Sequence, residues 1–154
     1  MRIGLKYGLL IALGAIAWVV ITHYLVRDPQ SILHTLGAVV VFNVLQFAGI
    51  YLGMSARRRE AGKKLYFKEG LKTGVLISLV YAFLMSLFFA AGLLIIGSKM
   101  MAAEGGPNEP ITQVAAKAFA GMFFLPVIFG LVYSTIISFA VAKRFSENAQ
   151  SSQA

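Results

Sequence analysis

The 154-residue chain is 58% hydrophobic and only 13% charged, and its mean hydropathy of +0.78 excludes an ordinary soluble domain. The net charge of +8 would suit nucleic acid only if the basic residues lined one folded face; they fall instead between apolar runs, as membrane orientation requires, so no nucleic-acid partner is expected. Cysteine is absent, which excludes a disulfide framework, a thiolate nucleophile and a Cys-ligated metal site.

Arg2 and Lys6 make a basic start, and the 20 residues from Tyr7 to Val26 then carry no acid and no Lys or Arg. A cleaved signal peptide would begin in the same way, with Ala15 and Ala17 at a cleavage site. The apolar run continues through Trp18 to Ile21, however, so a retained first span, about 7–26, is expected. Arg27, Asp28, Pro29 and Ser31 read as a turn, with Ser31 placed to cap the next helix. His23 and His34 flank that turn. Two histidines without a carboxylate or thiolate nearby carry no metal or haem assignment, and no cofactor is expected.

Residues 29–56 and 73–98 each lack Asp, Glu, Lys and Arg, and both exceed the roughly 20 residues that cross a bilayer as helix. They give a second span at about 33–54 and a third within 73–98. Between them, residues 55–72 hold seven of the chain's 14 basic residues, Arg57, Arg58, Arg59, Lys63, Lys64, Lys68 and Lys72, against Glu60 and Glu69. This segment reads as a cytoplasmic loop suited to anionic headgroups or an acidic partner.

Gly and Pro breakers between Lys99 and Pro110 turn the chain back. Helix is expected from Ile111 to Lys143, with 118–142 in lipid, the first seven residues projecting into the interface, and a kink at Pro126. The tail from 146 is expected to fray. Lys and Arg number two, seven and two in the start, central segment and tail, against one and two in the other connections, counting Lys117. Positive-inside bias then places both termini and the central segment in the cytoplasm, and four spans have the parity for it.

Leu5, Lys6, Gly8, Leu10, Ile11 and Leu13 recur 66 residues later as Leu71, Lys72, Gly74, Leu76, Ile77 and Leu79. The repeat suggests two parallel helical hairpins within one all-α, four-transmembrane-helix bundle. With Arg58, Arg59 and Glu60, and the run from Leu65 through Tyr66, Phe67, Lys68, Glu69 and Gly70 to Ser78, the chain resembles a bacterial four-span family, domain of unknown function 4199. That resemblance implies a bacterial inner-membrane helical protein and supplies no catalytic residues.

Small residues recur every fourth position in span three (Gly70, Gly74, Ser78, Ala82, Ser86, Ala90) and span four (Gly130, Ser134, Ser138, Ala142). Such rows let helices approach closely in lipid, either within the chain or between copies. A weaker row, Gly4, Gly8 and Ala12, opens span one. Asn43 and Gln46 share a face of span two, and buried amides need partners. Interhelical bonds to hydroxyls such as Ser78, Tyr81, Ser86 or Ser134 are one reading, and substrate contact the other. No span holds an acid, and no serine is placed against a base, so carboxylate-coupled transport and triad chemistry lack candidates. The expected function is a non-enzymatic accessory or structural membrane subunit, with a small transporter or lipid flippase using Asn43 and Gln46 as the alternative.

Overall fold

The hydrocarbon layer offers no water to backbone N–H and C=O groups, so a chain this apolar must satisfy them within each segment, and helix does so. The computed structural model describes residues 2–25, 32–62, 65–96 and 110–151, with side chains over 2–22, 36–62, 65–95 and 110–140. Four helices account for nearly all of them: α1 (Arg2–Leu25), α2 (Ile32–Glu60), α3 (Phe67–Ile96) and α4 (Ile111–Ser151). Each is long and apolar enough to cross a membrane. The 41 residues of α4 would reach about 60 Å, beyond even a bilayer with its headgroups.

The helix ends differ from the sequence reading at the basic segment. Residues 55–72 are not one loop: α2 runs through Arg57, Arg58 and Arg59 to Glu60, and α3 begins at Phe67. Three arginines in the last turn suit the negative end of the α2 dipole, and Glu69 in the first turn of α3 suits its positive end. Gly62 stops α2 by adopting φ +65°, with Ala61 N donating to Arg57 O at 3.0 Å and Gly62 N to Arg59 O at 3.4 Å. At the other extreme, the tail expected to fray belongs to α4 as far as Ser151. Pro126 lies inside α4, which continues through it as one helix. The turn at 27–31 and the breaker segment 99–109 lie outside the described residues.

The packing is unequal. Helix α3 touches all three others, most extensively α4, and α2 also touches all three, whereas α1 and α4 do not meet among the described residues. The cross-section is therefore a rhombus with α2 and α3 on its short diagonal. Its core combines Ile11, Ala12 and Ala15 of α1, Ile50 and Met54 of α2, Ile77, Tyr81 and Met85 of α3, and Ile137 of α4. Leu93 packs on Val114 and Ala115 at the far end, so the opening turns of α4 are held against α3. Leu, Val, Ile and Phe side chains cover the perimeter, the arrangement that lipid solvates.

Candidate functional site

The small-residue rows of α3 and α4 meet each other inside the chain. A Cβ added to Gly70 would stand 2.9 Å from Ser138 Oγ; one added to Gly74 would overlap Ser134, and one on Gly130 would overlap Ser78. Each step of four along α3 is matched by a step of four backward along α4, so glycine on one helix faces serine on the other at three successive levels. Ala82 and Ser86 are fully buried further along α3, and Ala90 is half-buried. Ala142 lies on α4 beyond the described side chains. The row that opens α1 serves a different partner: a Cβ on Gly4 would collide with Leu76, and one on Gly8 with Val80 and the carbonyl of Ile77. The glycines equivalent in the repeat, Gly8 and Gly74, thus face different helices, α3 and α4.

Two seam hydroxyls bond within their own helix and a third reaches across to α2. Ser78 donates to the Gly74 carbonyl at 3.0 Å, Ser86 to the Ala82 carbonyl at 2.7 Å, and Ser138 to Met54 Sδ at 3.7 Å. Among the described residues, Ser134 Oγ and Trp18 Nε1 are buried without a partner.

The two amides bridge α2 and α4, the least extensive of the helix pairs that touch. Gln46, 3% exposed, donates from Nε2 to the Pro126 carbonyl at 2.6 Å. That carbonyl has two lone pairs and can accept the amide beside a helical bond. Gly130 leaves the space for it, since a Cβ there would sit 2.8 Å from Gln46 Nε2. One turn away, Tyr133 Oη donates to Asn43 Oδ1 at 2.6 Å, while Asn43 Nδ2 donates to the Val39 carbonyl at 2.7 Å. Phe47 meets the Tyr133 ring edge-on at 5.6 Å. The amides therefore join different groups from the hydroxyls named in the sequence reading. Tyr133 and the Pro126 carbonyl were not singled out; the available signal was a phenol inside a membrane span, seven residues after a proline.

Gly49 and Gly53 of α2 were also missed. A Cβ on the first would collide with Ile11, and one on the second with Ile77, so this pair seats α2 against α1 and α3 together.

At the basic end, a cleft of about 450 Å³ opens where α1, α2 and α3 converge. Arg2, Arg57 and Lys72, one from each helix, share it with Glu60 and Glu69. Arg57 pairs with Glu60 at 3.4 Å. Of the other basic candidates, Arg58 borders a separate groove between α2 and α4, Arg59 and Lys68 are exposed outside both, and Lys63 and Lys64 lie outside the described residues. The side chains of His23 and His34 do so too.

Four apolar helices packed through small residues define a multi-pass, all-α membrane protein. Comparison with protein families, curated proteins and solved structures finds no match to the chain.

Proposed function

We propose that the chain is a non-enzymatic accessory or structural subunit of a bacterial inner membrane, with both termini and the α2–α3 connection on the cytoplasmic side. One observation supports this most: Asn43 and Gln46, the polar pair a transport site would need, are both engaged between α2 and α4 at 2.6 Å. Amides that hold helices together are structural groups, and withdrawing them for a substrate would leave the Pro126 carbonyl and Tyr133 hydroxyl without them. The tight Gly–Ser seam beside them likewise suits a fixed scaffold rather than one that opens and closes.

The absence of cysteine makes a direct test available. Single cysteines at positions 43, 46 and 61 would be exposed to a membrane-impermeant maleimide in sealed vesicles of each orientation. Positions 43 and 46 should stay unlabelled from both sides, and position 61 should react only from the cytoplasmic face. Labelling at 43 or 46 from water would instead favour the transporter or flippase, and labelling of 61 from the outer face would reverse the topology. Crosslinking in native membranes should recover a defined membrane-protein partner. Recovery of the chain alone, with ligand-dependent thermal stabilisation, would overturn the accessory role.

A further inference from the structure

We infer that the cleft between α1, α2 and α3 binds one anionic glycerophospholipid, with its phosphate held by Arg2, Arg57 and Lys72 and an acyl chain laid along the α1–α3 seam. The inference rests on the membrane placement of the bundle and not on its role as a subunit.

The three cations are distant in sequence but border one space of about 450 Å³, a volume in the range of small-molecule sites. Each comes from a different helix, so the site exists only in the folded bundle and differs from a run of basic residues along a loop. Ile3, Gly4 and Leu76 supply its apolar lining. Gly4 is needed there because any side chain would strike Leu76.

A second cavity borders the same α1–α3 seam. One turn deeper on both helices, about 570 Å³ is bordered by Leu5, Leu9, Leu79, Val80, Phe83 and Leu84, with Lys6 at its edge. Arg2 and Lys6 are four residues apart on α1, as are Leu76 and Val80 on α3, and residues at that spacing lie one above the other. A charged cleft followed by an apolar groove in one seam matches the polarity profile of a lipid. A free anion would leave the groove unused, and a soluble peptide would have no access to it.

The acids narrow the headgroup. Arg57 is oriented by Glu60, which accepts one of the five N–H groups of the guanidinium and leaves the others to donate. Glu60 and Glu69 offer acceptors in the same cleft, which suits a headgroup bearing hydroxyls beside its phosphate. Phosphatidylglycerol has that chemistry. Phosphatidylcholine has neither hydroxyl donors nor net negative charge.

The test is native mass spectrometry of the full chain in a neutral detergent, titrated separately with phosphatidylglycerol and phosphatidylcholine, and with phosphatidylglycerol in the presence of inorganic phosphate. One phosphatidylglycerol should be retained per chain, in preference to phosphatidylcholine and undiminished by equimolar phosphate. Arg2→Gln with Lys72→Gln should weaken retention about fivefold for each cation removed. Arg59→Gln with Lys68→Gln, which removes equal charge outside the cleft, should change it less than about twofold on the same scale. If the double cleft variant does not fold, Lys72→Gln alone carries the comparison. Equal losses from both pairs would overturn the proposal in favour of diffuse charge. Displacement by phosphate would overturn it in favour of a free-anion site, and equal retention of phosphatidylcholine would remove the headgroup recognition.

Discussion

Ser134 faces Gly74 and Met54 in the middle of the α3–α4 seam, buried, with its hydroxyl unpartnered. Leaving a buried hydroxyl unpaired costs about 1–3 kcal/mol, so Ser134→Ala should hold or raise thermal stability in detergent. Ser134→Leu should lower yield and stability sharply because the added carbons meet the α3 backbone, while Val132→Leu, on the exposed perimeter, should be nearly neutral. A drop in the alanine variant would mean that the hydroxyl contributes a bond. Tyr133 and Asn43 form the opposite case, a 2.6 Å bond across helices. A double-mutant cycle with Tyr133→Phe and Asn43→Leu should give a coupling of about 0.6 kcal/mol, the average for such bonds in membranes; zero coupling would show that the two side chains act independently. The sequence marks Asn43 and Gln46 as polar groups needing partners, because amides in an apolar span stand out by type. It cannot supply the partners: the Pro126 carbonyl is backbone, and the candidate serines bond to their own helix or lie elsewhere in the seam.

At the scale of the helix, the same residue type carries opposite consequences. Gly130 lies where α2, α3 and α4 converge, and a methyl there would overlap Ser78 and crowd Gln46. Gly121, nine residues earlier on α4, has nothing within 4 Å of its would-be Cβ. Alanine is favoured over glycine in a helix by about 1 kcal/mol, so Gly121→Ala should raise the melting temperature and Gly130→Ala should lower it. Shifts of the same sign would mean that intrinsic helix preference outweighs the seam. The four-residue rows were legible because close approach in lipid requires small residues at a regular spacing. Gly49 and Gly53 share that spacing but lie among the larger Phe47, Tyr51 and Leu52, so only the structure reveals the pair as a seat for Ile11 and Ile77. Helix ends were less legible where charge accumulates: Arg57 to Arg59 read as loop by hydropathy, although a helix can carry such residues beyond the hydrocarbon and gains from cations at its last turn.

For the molecule as a whole, four spans could be read from the lengths of uncharged sequence, since bilayer thickness fixes that length. The rhombus could not, because nothing in composition tells which helices share an edge, and the repeat alone would suggest equivalent hairpins. The cleft was half legible: Arg57 and Lys72 belong to the conspicuous basic segment, but Arg2 joins them only through the parallel packing of α1 on α3. That packing also has a temporal meaning. Synthesis delivers α1 before its main neighbour, and that neighbour, the most extensively packed helix α3, is third to emerge. The first hairpin must therefore wait in the bilayer half-covered, with Gly4 and Gly8 facing lipid or the insertion machinery, until α3 arrives to fill their hollows. The last helix then closes the long seam from one side without disturbing α1, which it never touches among the described residues. The order of the chain is thus also a workable order of assembly.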